Sequence, residues 1–206
     1  LAEHAEGRPD LRHLALQGRG PAASIFKIVT AAALVEMAGF DRQTEICTHG
    51  GLRGLTLYNL RDNPKLDTRC DTLTGAMGAS RNVAFARWAD RNLAPDDLQA
   101  MADRFLFNRR LPFLWGVGRS EARIPRASKL EFARSAAGFT GTTLSPLHAA
   151  LITSTIAHDG VMMAPRLVDR AVSPEGEVLY TAEHAMLAQV LSPEAAQEVA
   201  AAMVAT

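Results

Sequence analysis

From Pro21 to Gly39 apolar residues occupy every side of the chain rather than one stripe, and Lys27 is the only charge between Pro21 and Val35. The pattern predicts a helix buried in the middle of its domain, entered through Pro21 and small residues, with Ser24 as N-cap or first-turn residue and Gly39 as its stop. Ahead of it, His13 to Gln17 is a short apolar segment that reads as one strand within the polar stretch Leu1 to Arg19. After it, Phe40 to Lys65 reads as an irregular surface excursion with strand character at Leu55 to Tyr58. Asp71 to Ala79 then predicts a short helix capped by Asp71 and broken at Gly78, so that Ser80-Arg81-Asn82 forms a tight turn. A new helix begins near Asn82, with Val83, Phe85, Ala86 and Ala89 at helical spacing. Further helices are predicted at Pro95 to Phe105, at Ser128 to Gly138 behind a Ser-x-x-Glu capping box, at Leu147 to Asp159 behind Ser145-Pro146, and from Ser192-Pro193 onward. Arg166 to Ser173 and Glu177 to Tyr180 form a hairpin around Pro174-Glu175-Gly176.

Composition narrows the classes. The 206 residues are 48% hydrophobic, enough for a core, and the formal net charge of +0 gives no reason to expect nucleic acid or an anionic membrane as partner. No apolar run of about eighteen residues occurs. The final helix carries no stop signal before Thr206, so the chain, residues 1–206, reads as one domain incomplete at both ends, with any membrane anchor in a segment absent here. Between Arg104 and Arg134, eight basic residues face only Glu121 and Glu131, which fits either a solvated face or attraction for an anionic substrate. The six histidines show no ligand spacing, so no metal is expected, and nothing points to a cofactor. Cys47 and Cys70 fit a disulfide in an oxidising compartment or two free thiols in a reducing one.

Two short motifs carry chemistry. Ser24 and Lys27 lie one helical turn apart, so hydroxyl and amine share a face. A lysine desolvated inside that helix would hold its amine neutral enough to take a proton from the hydroxyl, and the positive end of the helix would favour an oxyanion there. Ser80 and Asn82, in a turn between two helices, can point into a cleft and supply a proton path and an orienting amide. Each motif alone is short enough to arise by chance.

In order along the chain, Ser24-Ile25-Phe26-Lys27, Ser80-Arg81-Asn82 with Phe85, Leu144 to Ala150 and Asp159 to Val168 resemble the transpeptidase domain of penicillin-binding proteins, within the serine acyl-transferases that include β-lactamases. The resemblance implies a helix-rich α+β fold with a sheet incomplete in this chain. It implies an acyl-enzyme formed by Ser24 with D-alanyl-D-alanine stem peptides of peptidoglycan, and covalent capture of β-lactam antibiotics. Lys27 would be the base, Ser80 the donor to the departing amine, and Asn82 the residue holding Lys27 and the substrate amide. It further implies a periplasmic or extracytoplasmic location and favours the Cys47–Cys70 disulfide. Two departures stand out. Ala23 and Ile25 replace the family's usual Gly and Thr beside the serine, and no Lys-Thr-Gly string or variant occurs in the sequence. Transpeptidase or carboxypeptidase activity is expected if that motif follows in the full-length protein; a non-catalytic binding or regulatory domain is the alternative. No Glu-x-x-Leu-Asn string supplies a base for deacylation, which argues against a β-lactamase.

Overall fold

A computed structural model describes residues 13–51 and 54–204. The polar residues 1–12 and the end of the predicted last helix, 205–206, lie outside the described residues. The fold is α+β: eight α-helices and four two-stranded antiparallel sheets among the described residues.

Helix α1 (Phe26–Ala38) is the central element, and every residue from Phe26 to Val35 is buried. An apolar surface on all sides requires partners on all sides. These are α4 (Asn82–Asn92), α5 (Pro95–Arg104), α6 (Lys129–Ala136) and α8 (Pro193–Val204). Burying each of Phe26, Val29 and Leu34 stabilises the fold by about 1.5–3 kcal/mol. Gly39 ends the helix at φ 70°, in the left-handed region that glycine adopts without strain. One polar residue locks this packing. Glu36 accepts from the Ser192 amide at 3.1 Å, the Ser192 hydroxyl at 2.8 Å and Arg104 at 3.1 Å, tying the starts and ends of α8, α1 and α5 together.

The strands are peripheral. β1 (Gly20–Pro21) pairs with β4 (Thr143–Leu144), β2 (Glu45–Thr48) with β3 (Arg69–Thr72), β5 (Val161–Met163) with β8 (Met186–Gln189), and β6 (Arg170–Val172) with β7 (Val178–Thr181). The last pair is the hairpin expected around Pro174, closed by Ser173 N–H to Glu177 O at 2.8 Å. Cys47 and Cys70 face each other across β2 and β3 and form the disulfide.

Four expectations are corrected. His13 to Gln17 is one 3-10 turn at Leu14–Leu16 and not a strand, because its amides close on His13 O and Leu14 O instead of on a neighbouring chain. Leu55 to Tyr58 is not a strand; α2 (Leu57–Leu60) starts there, with Asn59 Oδ1 accepting from Thr56 N at 3.0 Å. Nor is Phe40 to Lys65 all surface: Ile46, Leu55, Asn59 and Leu60 are buried. Finally, α3 (Leu73–Gly78) is capped by the Thr72 hydroxyl, which accepts from Gly75 N at 3.1 Å, while Asp71 pairs with Arg81 at 3.5 Å. Strand β3 runs to Thr72, so Asp71 is still extended and the cap falls one residue later than expected.

The remaining helix, α7 (Pro146–Ala157), begins as expected, with the Ser145 hydroxyl accepting from His148 N at 3.2 Å. His148 is a core residue: its Nε2–H donates to Phe105 O at 2.7 Å, and burial pushes its pKa down, so the ring stays neutral. Gly138 closes the C-terminus of α6 at φ +87°, and a Cβ there would lie 1.9 Å from Ala23 O. Gly138→Ala is therefore expected to cost about 1–3 kcal/mol by overpacking, read as a lowered midpoint in urea unfolding. An unchanged midpoint would show that the turn before Ser24 is not held from this side.

Candidate active site

The turn Ala23–Ile25, one 3-10 turn fused to the start of α1, carries Ser24. Ser24 is thus a first-turn residue whose side chain caps nothing and is left for other contacts. Ala23 sits at φ 49°, a left-handed conformation that costs a residue with a Cβ about 1–3 kcal/mol. The departure from glycine noted in the sequence falls at the one position of this turn that glycine suits best.

Ser80 ends the turn between α3 and α4, also left-handed at φ 50°, with its amide bonded to Met77 O and the next amide, of Arg81, to Ala76 O. Asn82 is the first residue of α4. Because α4 packs on α1, this turn is laid against the first turn of the central helix. All four residues singled out in the sequence meet there. Lys27 Nζ lies 3.0 Å from Ser24 Oγ, 2.8 Å from Ser80 Oγ, 2.6 Å from Asn82 Oδ1 and 3.2 Å from Ser80 O. Ser24 Oγ and Ser80 Oγ are 2.9 Å apart.

Lys27 is only 1% exposed, and burial lowers its pKa to about 8. The hydrogen bonds point the same way. Ser80 O and Asn82 Oδ1 can only accept, so they take two N–H bonds of the amine. In the neutral amine the remaining lone pair faces the two hydroxyls, either of which can donate to it. That is the arrangement of a general base beside a nucleophile.

A cavity of about 320 Å³ opens onto this cluster, lined by Ser24, Ile28, Met77, Ser80 and Met203 among others. Met77 and Met203 give it a soft apolar wall that went unread in the sequence. Met77 has a signal, three residues before Ser80 in the preceding helix. Met203 arrives from α8 and has none. The Cys47 and Cys70 sulfurs beside Glu45 are bonded to each other, which leaves that group no thiolate to offer a metal.

Residues 2–206 match the family model of the penicillin-binding protein transpeptidase domain. Penicillin-binding protein PbpB of Mycolicibacterium smegmatis is 30% identical over 181 residues, which cover 84% of this chain and 26% of that protein. The peptidoglycan D,D-transpeptidase PbpA of the same organism is 28% identical over 189 residues, covering 90% of this chain and 38% of the relative. Among solved structures, PBPA from Mycobacterium tuberculosis superposes with a TM-score of 0.75 at 28% identity, over 93% of this chain and 44% of that one. Penicillin-binding protein A from that organism is also known as acyl-enzymes with ceftriaxone, imipenem and penicillin G. The chain spans less than half the length of each of these relatives.

Proposed function

Since the chain belongs to the transpeptidase family of penicillin-binding proteins, we propose that it provides the nucleophile half of a peptidoglycan D,D-transpeptidase site, with Ser24, Lys27, Ser80 and Asn82 as its catalytic residues. The observation that carries this reading is the single amine of Lys27 within 3.0 Å of both serine hydroxyls and of Asn82 Oδ1.

Ser24 Oγ attacks the carbonyl carbon of the D-alanyl-D-alanine bond as its proton passes to Lys27 Nζ, directly or through Ser80 Oγ. The tetrahedral oxyanion forms at the positive end of α1. Collapse breaks the C–N bond, and Ser80, reprotonated from Lys27, gives its proton to the departing amine. The acyl-enzyme then passes to an acceptor amine in transpeptidation, or to water in carboxypeptidation. A β-lactam reacts by the same first step, but its C–N bond lies in a ring, so no leaving group departs and the whole antibiotic stays attached. The working surface is extracytoplasmic in this reading, and the Cys47–Cys70 disulfide is in keeping with an oxidising compartment.

Incubation with a fluorescent penicillin is expected to add the mass of one intact antibiotic, located after trypsin digestion on the peptide Gly20 to Lys27, whose only hydroxyl nucleophile is Ser24. Label on any other peptide would refute the assignment of the nucleophile. A second reading is a non-catalytic binding domain. It predicts a folded protein that takes up no label, both alone and as the full-length chain.

A further inference from the structure

The eight basic residues between Arg104 and Arg134 divide into two groups. Five meet local carboxylates: Arg104 with Glu36 at 3.1 Å, Arg123 with Glu121 at 3.1 Å, Arg126 with Asp96 at 2.7 Å, Lys129 with Asp90 at 3.0 Å and Arg134 with Glu131 at 2.7 Å. These account for the solvated, charge-balanced face that the sequence pattern suggests. Arg109, Arg110 and Arg119 are different. All three are exposed and have no carboxylate partner among the described residues.

Arg110 and Arg119 line a cavity of about 720 Å³ in the segment between α5 and α6, and Arg109 adjoins it in sequence. This volume lies within the range of about 300–1,000 Å³ typical of small-molecule sites. The cavity shares no lining residue with the one at Ser24. Its wall is aromatic: Phe113 and Trp115, ring centroids 6.0 Å apart at 77°, both border it. Trp115 is 45% exposed, unusual for a side chain whose burial would be favourable. Buried Leu111 and Val117 also line it, and the charge of Glu121 at its margin is already answered by Arg123.

We propose that this cavity is a binding site for an anionic saccharide, a sugar unit bearing a carboxylate or a phosphate. Unpaired guanidinium groups form bidentate, charge-assisted hydrogen bonds with either anion. The exposed indole of Trp115, one face of which stacks on His13 at 5.4 Å, and the partly buried phenyl of Phe113 supply apolar surface for the C–H face of a pyranose, which a bare anion would not use. A neutral glycan would leave the arginines unanswered, and an apolar ligand would require them to lose water without gaining a partner.

The test uses tryptophan emission, since Trp88 is 2% exposed and Trp115 is the one a ligand can reach. Glucose 1-phosphate and glucuronate are titrated against glucose and inorganic phosphate. At least one charged sugar is expected to give a saturable change that neither glucose nor phosphate matches at equal concentration; which one responds identifies the anion. Arg110→Gln and Arg119→Gln are each expected to weaken it about tenfold or more, with penicillin labelling at Ser24 unaltered. Neither charged sugar exceeding glucose, neither exceeding inorganic phosphate, or unchanged titrations in both variants would overturn the proposal. Because the labelling reaction is read separately, failure here leaves the reading of Ser24 standing, and the reverse also holds.

Discussion

Lys27→Met is expected to lower the rate of penicillin acylation by about 10²–10⁴-fold while the protein remains folded. Methionine keeps the length and fills the buried space, so the loss isolates the amine. What disappears is, among the described residues, the only group in contact with both hydroxyls and with Asn82 Oδ1. Without it the Ser24 hydroxyl faces Ser80 Oγ at 2.9 Å and water, neither of which is a base strong enough to hold its proton. The pH profile of the unsubstituted protein tests the same role independently. Burial lowers the Lys27 pKa to about 8, and only the neutral amine accepts a proton. The acylation rate therefore rises with pH, reaches half its limit near pH 8 and levels off above it. Stopped-flow acylation from pH 6 to 10 measures this. A flat profile, or a Lys27→Met variant acylated at the original rate, would remove Lys27 from the chemistry. Equal urea midpoints in the two proteins would show that the loss is chemical and not structural.

The second large effect concerns stability. Arg87→Met is expected to destabilise the fold by about 3–5 kcal/mol, the usual cost of breaking a buried charge pair by removing one partner. Arg87 is 0% exposed, on α4 one turn beyond Val83. Its guanidinium donates to Asn59 O at 2.5 Å, Cys47 O at 2.9 Å and Arg61 O at 2.8 Å, and lies 2.9 Å from Asp67 Oδ1. It is the hub that holds the disulfide-linked β2–β3 ribbon and α2 against the helix that carries Asn82. Methionine would orphan three carbonyls and leave the Asp67 carboxylate buried without its cation. The pH dependence should weaken. Burial alone would raise the Asp67 pKa, but hydrogen bonds from Arg87, the Asn63 amide and His49 outweigh it and hold the group well below the usual carboxylate range. In the unsubstituted protein, Asp67 therefore contributes stability that is present above the ordinary carboxylate pKa of about 4 and lost as pH falls further. In Arg87→Met the hydrogen bond and charge of Arg87 are gone while the Asn63 amide and His49 remain, so the Asp67 pKa moves back up toward the ordinary carboxylate range and less stability is lost as pH falls. Urea unfolding at pH 4 and pH 7 should show the larger difference between the two proteins at pH 7. A difference below about 1 kcal/mol at both would mean that the pair is solvated.

These two residues were unequally legible. Lys27 was read from spacing, because reach between positions i and i+3 is a property of any helix, and its desolvation followed from apolar neighbours on all sides. Arg87 carries no such signal. Its partners come from residues 47, 59, 61 and 67, and no local pattern records that these segments fold over it. The same difference separates the hairpin at Pro174, carried by its own turn residues, from the β5–β8 pair, which joins Val161–Met163 to Met186–Gln189 across an intervening hairpin.

By itself the sequence determined every α-helix but α2, the caps at Ser128 and Ser145 and the stops at Gly39 and Gly138, a buried lysine one turn beyond a serine, and the order of motifs that marks the family. These are short-range features, set by backbone geometry and by which side chains can bear burial. Only the tertiary structure decided that the Ser80 turn meets the Ser24 turn within hydrogen-bond distance, that Met203 walls the cleft, and that three arginines among eight lack a carboxylate partner among the described residues. Those outcomes depend on packing between distant segments, where a difference of an ångström separates a hydrogen bond from a mere neighbour.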